Sequence, residues 1–165
     1  MNLTLTKRGD YAVRSAIALA RAYGASRYRK IREVAGEMNL PLRYTPQILG
    51  LLVRAGLAEA RAGREGGYRL VRQPAEVSLL EVVEAAEGPL RAERCTLSGG
   101  PCYWESMCAV HPALEESTQA LRQSLARVTL AHVLEVDEAL KTGTYAVPDH
   151  AHRLAKTIKG KPNAT

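Results

Sequence analysis

The stretch PLRYTPQILGLLVRAGLAEARAGREGGYRLVR, residues 41–72, decides the fold. Ile48, Leu49, Leu52 and Val53 recur at helical spacing, and Gly56 reads as the residue just past a helix end. Two starts are open. Either the helix begins near Leu42 with Pro46 in its first turn, or Thr45 caps it with Pro46 at the first helical position; the earlier start is expected. The remainder predicts two short strands, about Ala58 to Ala62 and Gly67 to Val71, folded about a Gly-rich turn into a basic β-hairpin.

Working outward toward the N-terminus, Ile31, Val34, Ala35 and Met38 predict a short amphipathic helix that stops before Pro41. Two short helices joined by a tight turn form a helix-turn-helix, and the hairpin that follows is its wing. Further upstream, the Ala-rich run from Lys7 to Tyr23 predicts one helix, with Thr6 as its N-cap and Gly24 as its stop. Downstream, Ser78 opens the capping box S-L-L-E of a helix reaching Glu87, where Gly88-Pro89 ends it. After residue 111 the chain returns to helix. Leu114, Leu121 and Val128 recur every seven residues with Leu125 on the same face, a seam suited to pairing with a second copy of the chain.

The expected fold is therefore mainly α: a winged helix-turn-helix domain with a small two-stranded wing and a long C-terminal dimerisation helix. The expected division is 1–90 for the winged domain, with its wing at about 58–71, then 91–111 for a cysteine loop, 112–140 for the dimerisation helix region, and 141–165 for a mobile basic tail.

Charge is distributed unevenly. Residues 1–75 hold 14 Lys/Arg against 5 Asp/Glu, whereas 76–165 hold 9 against 12, so the basic character belongs to the winged half and suits a polyanion. No apolar run of about 18 or more residues and no signal-like start is present, which predicts a cytoplasmic protein with no membrane association. No phosphate loop, nucleophile–base set or substrate signature points to an enzyme.

All three cysteines, Cys95, Cys102 and Cys108, fall in one stretch, RCTLSGGPCYWESMCAVH, residues 94–111. An odd number in a reducing compartment argues against a disulfide framework and leaves buried small hydrophobes, redox thiols or metal ligands.

With LTKRGDYAVR at the start, PLRYTPQILGLLVRAGL, GREGGYRL, PAEVSLLEVVEAAEG, the three-cysteine loop and VTLAHVL, the chain resembles the Rrf-two family of bacterial winged-helix regulators from Leu5 to about Leu134. The likeness is to its cysteine-bearing, iron-sulfur branch (IscR- and NsrR-like). The resemblance implies a homodimer on double-stranded operator DNA, acting as a transcriptional regulator, in the main as a repressor. Its occupancy would be adjusted by a [2Fe-2S] or [4Fe-4S] iron-sulfur cluster that responds to nitric oxide, redox state or iron-sulfur status.

From the family's recognition helix the resemblance carries over Arg43, Thr45 and Gln47. Arg suits guanine and Gln suits adenine, each by paired hydrogen bonds in the major groove. Tyr44 is set aside as a candidate core aromatic. In the wing, Arg61, Arg64 and Arg69 flank glycines that let the backbone approach a groove or phosphate. The chain has Pro46 where relatives often carry Glu, and Ala62 where they carry Arg, with Arg61 displaced by one.

For the cysteines, the spacing Cys-x6-Cys-x5-Cys lacks the close pairs of structural zinc sites, and thiolates also suit iron-sulfur clusters. The resemblance implies Cys95, Cys102 and Cys108 as ligands, with His111 or Asp10 of a partner subunit as the fourth. The alternative is a winged-helix regulator that senses oxidants directly through its thiols, without a cluster.

Overall fold

The computed structural model describes residues 5–25, 27–90 and 108–146. Its helices and strands are α1 (Lys7–Arg21), α2 (Ile31–Glu37), α3 (Thr45–Arg54), β1 (Ala58–Arg61), β2 (Gly67–Leu70), α4 (Leu79–Glu87), α5 (His111–Arg127) and α6 (Leu130–Thr142), with one 3-10 turn at Pro74–Glu76. The fold is mainly helical with one two-stranded antiparallel sheet, as the sequence predicts.

α1 is the central helix of the first compact unit, Met1–Leu134, and packs against α2, α3, α4 and β2. Its buried face carries Ala12, Ala16, Ala18, Leu19 and Ala20, and these mostly one-carbon side chains let neighbouring helices come close. Ile48, Leu49 and Leu52 of α3, Val34 of α2, Val82 and Ala86 of α4, and Leu130 of α6 close the core around it. Burying each of the larger residues stabilises the fold by about 1.5–3 kcal/mol.

The helix ends follow their caps. Thr6 accepts the Gly9 N–H through its hydroxyl oxygen at 3.3 Å. Glu87, the last residue of α4, accepts both the Thr6 N–H, at 3.2 Å, and the Thr6 hydroxyl, at 2.6 Å. A β-carbon on Gly9 would lie 2.2 Å from that carboxylate, so glycine is what admits the contact. Ser78 caps α4 as expected, in a reciprocal capping box with Glu81.

The C-terminal helical stretch is divided rather than continuous. Val128 is extended (φ −88°, ψ 115°). Its carbonyl accepts the Leu79 N–H at 2.7 Å, while the Leu130 N–H donates to the Val77 carbonyl at 2.9 Å. This β-bridge between Ser78 and Thr129 ends α5 and starts α6, so Val128 leaves the seam that Leu114, Leu121 and Leu125 share. α5 packs on α4, where Arg122 pairs with Glu84 and donates to the Leu90 carbonyl at 2.9 Å.

The second unit, Glu135–Thr165, is described through residue 146. Its helical part continues past the expected start of the tail, to Thr142, with Lys141 2.7 Å from Asp137, and Ala139 accepts the N–H groups of Thr144 and Tyr145. Residues 147–165 of the expected tail lie outside the described residues. Among the described residues no helix is long and apolar enough to cross a membrane.

Candidate functional site

The turn between α2 and α3 is built by a sequence of caps. Asn39 takes a left-handed conformation (φ 51°). The Leu40 N–H then reaches back to Ala35 at 2.8 Å and the Asn39 N–H to Gly36 at 3.4 Å, the double closure of a Schellman end. The Pro41 carbonyl next accepts the N–H groups of Tyr44 (2.9 Å) and Thr45 (3.2 Å), together with the Thr45 hydroxyl (3.1 Å).

α3 accordingly starts at Thr45, later than the expected position near Leu42, with Tyr44 as its N-cap and Pro46 in its first turn. Pro46 costs nothing there because the first N–H groups of a helix have no partner within it. Thr45 is 1 % exposed and its hydroxyl is bonded inward, so it faces the core instead of solvent. Arg43 and Gln47 stand exposed on either side of it. Tyr44, set aside as a core aromatic, is 57 % exposed and projects beside them.

The wing is a hairpin in the register Ala58↔Leu70, Glu59↔Arg69, Ala60↔Tyr68 and Arg61↔Gly67. Strand alternation sends Ala58 and Leu70 into the core and leaves Glu59, Arg61 and Arg69 on the other face. A third segment extends the sheet: Arg29 exchanges backbone hydrogen bonds with Tyr68 at 2.8 and 2.9 Å. Gly67 (φ +147°) permits this approach, since a β-carbon there would lie 2.4 Å from the Arg29 carbonyl oxygen.

The three wing arginines are not equivalent. Arg69 pairs with Glu59, and its guanidinium carbon stands 4.7 Å from the centre of the Tyr28 ring, while Arg61 lies at 6.0 Å. The Tyr28 hydroxyl donates to Glu59 at 2.7 Å. That hydrogen bond, together with Arg69, holds the Glu59 carboxyl below the usual carboxylate range; the same hydrogen bond, aided by burial and against the pull of Arg69, raises the Tyr28 hydroxyl above its ordinary value. Arg69 thus has a charge partner within the wing. Arg61 and Arg64 are exposed, and the Arg64 carbonyl at the tip is held by the Lys30 ammonium from the N-cap of α2. Tyr28, Glu59 and Lys30 are the residues sequence reasoning missed. Their roles depend on the return of residues 28–30 to the hairpin edge, which no periodicity announces.

Of the cysteine site, Cys95 and Cys102 lie outside the described residues. Cys108 is half-buried, and His111, exposed at the first position of α5, donates its N–H to the Cys108 carbonyl at 2.9 Å. A thiol and an imidazole on one turn are both donors suited to iron. Asp10 lies on α1 with one carboxylate oxygen 2.9 Å from Arg14. Among the described residues alone, no three such donors gather.

Known proteins share both the sequence pattern and this fold. The family model Rrf2, described as "Iron-dependent Transcriptional regulator", matches residues 5–136. The putative HTH-type transcriptional regulator NMA1593 of Neisseria meningitidis is 31% identical over 133 residues, covering 81% of this chain and 88% of the relative. The HTH-type transcriptional regulator NsrR of Geobacillus kaustophilus is 29% identical over 141 residues, covering 85% and 95%. Among solved structures, CymR, the global cysteine regulator of B. subtilis, superposes with a TM-score of 0.68 at 23% identity, covering 82% of this chain and 98% of that one.

Proposed function

The chain belongs to the Rrf2 family of transcriptional regulators, and from that premise we propose that it binds operator DNA as a homodimer whose occupancy is set by an iron-sulfur cluster. It is a regulator and not an enzyme. The observation that carries the DNA reading is the exposure of Arg43, Tyr44 and Gln47 at the start of α3, beside a basic hairpin and fixed by the inward bond of Thr45.

Helix α3 enters the major groove N-terminus first. There Arg43 offers two donors to guanine, and Gln47 a donor and an acceptor to adenine. Tyr44 adds an aromatic surface that suits a thymine methyl or sugar. Arg61 and Arg64 meet phosphates, and Arg69 serves by holding the wing face through Glu59 and Tyr28.

Cys95, Cys102 and Cys108 would hold the cluster, with His111 as the fourth ligand and Asp10 of a partner subunit as the alternative. Bound there, the cluster supplies iron that nitric oxide, oxidants or iron shortage can alter. The chain's own contribution is to hold the last cysteine at the start of α5, whose seam of Leu114, Leu121 and Leu125 would meet its counterpart in a second copy. A ligand state that favours one disposition of the paired recognition helices changes DNA occupancy in proportion to its differential affinity for that disposition.

Two measurements test this reading. Selection of duplexes from a random pool should yield an operator. On it, Gln47→Ala relaxes preference at one base position, whereas Arg64→Ala weakens binding to all sequences alike and flattens the salt dependence. Anaerobic reconstitution should give a coloured protein whose visible absorbance is lost in Cys102→Ala. A colourless wild type that still responds to oxidant would replace the cluster with direct thiol sensing.

A further inference from the structure

α1 and α3 enclose a cleft of about 780 Å³ that opens beside the exposed start of the recognition helix. Lys7, Arg8 and Tyr11 line it from α1, and Tyr44, Gln47 and Arg54 from the α3 side. No carboxylate lines the cleft, and Lys7, Arg8 and Arg54 have no acidic partner among the described residues. Arg32, Arg43, Arg61 and Arg64 likewise lack an acidic partner among the described residues, but none of them lines the cleft, and the other arginines of the winged domain are paired. Arg14, Arg21, Arg27, Arg29, Arg72 and Arg122 each stand against an Asp or Glu. Gly50, in the middle of α3, leaves room at the cleft wall: a β-carbon there would sit 3.5 Å from the Arg54 guanidinium. Glycine inside a helix costs about 1 kcal/mol relative to alanine, and nothing else crowds this position.

The placement indicates the occupant. A B-form major groove is about 12 Å wide and walled by the two sugar-phosphate strands. A helix packed on the recognition helix lies roughly 8–10 Å from its axis, and therefore over one of those walls. With Gln47 at the bases, a cleft lined by Gln47 itself and by three uncompensated cations faces phosphates. We propose that Lys7, Arg8 and Arg54 form a phosphate clamp for the strand bordering the groove that α3 enters. It is a sequence-independent binding surface separate from the wing. The inference rests on the DNA reading above.

The test uses the full chain, a duplex it selects from a random pool, and a shuffled duplex of equal length, with binding followed by fluorescence anisotropy across a salt series. Lys7→Gln/Arg8→Gln/Arg54→Gln should reduce the slope of log affinity against log salt by about 0.9 for each phosphate no longer neutralised in a half-site, on both duplexes. The ratio of the two affinities should stay unchanged. The charge-conserving Lys7→Arg/Arg8→Lys/Arg54→Lys should recover most of the slope. All three residues are exposed, so circular dichroism and melting should match wild type.

An unchanged slope in a folded glutamine variant overturns the clamp. If that same variant loses binding of anilinonaphthalene sulfonate, the cleft is instead a pocket for small aromatic anions. A wild type that selects no duplex removes the DNA reading, and the clamp with it, whereas normal selection with an unchanged variant slope removes the clamp alone.

Discussion

Ser15 sits at the centre of α1 with 0% exposure, and its hydroxyl has no hydrogen-bond partner among the described residues. A buried hydroxyl without a partner destabilises by about 1–3 kcal/mol relative to a group that needs none. Ser15→Ala removes that group and adds another alanine to the alanine face, so it should raise the melting temperature by a few degrees, read by thermal circular dichroism. A lowered melting temperature would mean the hydroxyl is satisfied in solution. Gly67 makes the opposite case. Its positive φ and the 2.4 Å approach of the Arg29 carbonyl leave no place for a methyl group, so Gly67→Ala should weaken DNA binding several-fold by displacing the wing, with a stability loss of about 1–2 kcal/mol. Binding assays paired with urea melts measure the two effects separately. At this scale the sequence was informative where a side chain acts locally, as with Thr6 and Ser78. It misled where one position decides inward from outward. Thr45 and Tyr44 exchange the roles residue type suggests, because the Pro41 carbonyl captures the threonine hydroxyl and turns the tyrosine out.

Among the elements, helices with a strong apolar stripe and clear caps were legible to within a residue or two, as were both strands. The start of α3 was not, since Leu42 to Tyr44 form a turn whose hydrogen bonds all converge on Pro41. Nor was the division of the C-terminal helix, which depends on Val128 finding Leu79 across the domain. Helix α5 has no buried residue in the single chain, and Leu114, Leu121 and Leu125 are only half covered. A helix whose apolar stripe stays half exposed gains most of its stability from a partner surface. Leu121→Arg should therefore convert the dimer proposed above into a monomer in sedimentation velocity and reduce operator affinity by at least tenfold. A variant that stays dimeric would move the interface elsewhere.

For the molecule as a whole, ion pairs impose an acid limit. Burial pushes the Glu37 carboxyl up, but hydrogen bonds from Arg21 and Arg29 outweigh it and hold the group below its ordinary range. Burial opposes the shift at Glu81 in the same way, and Arg72 and Ser78 overcome it. A carboxyl whose folded value is depressed stabilises the fold at pH above its unfolded value and loses that contribution as pH falls through the folded value. Stability should thus be flat above pH of about 5 and decline below about 4, and Glu37→Gln/Glu81→Gln should flatten that decline. Urea midpoints across pH provide the check; an identical decline in the variant would assign the acid limit to other groups. The bridge between Ser78 and Thr129 has a kinetic consequence. It closes a stretch of about 50 residues that includes α4, all three cysteines and α5. The length-dependent entropy of that closure is roughly 3.5 kcal/mol. Two backbone hydrogen bonds of about 1 kcal/mol each do not offset it. The bridge therefore forms late, once α1, α3 and α4 have made the core that Leu130 enters. The reading head is assembled before the cysteine segment is tied off, so the rate of refolding should be indifferent to whatever those cysteines later hold.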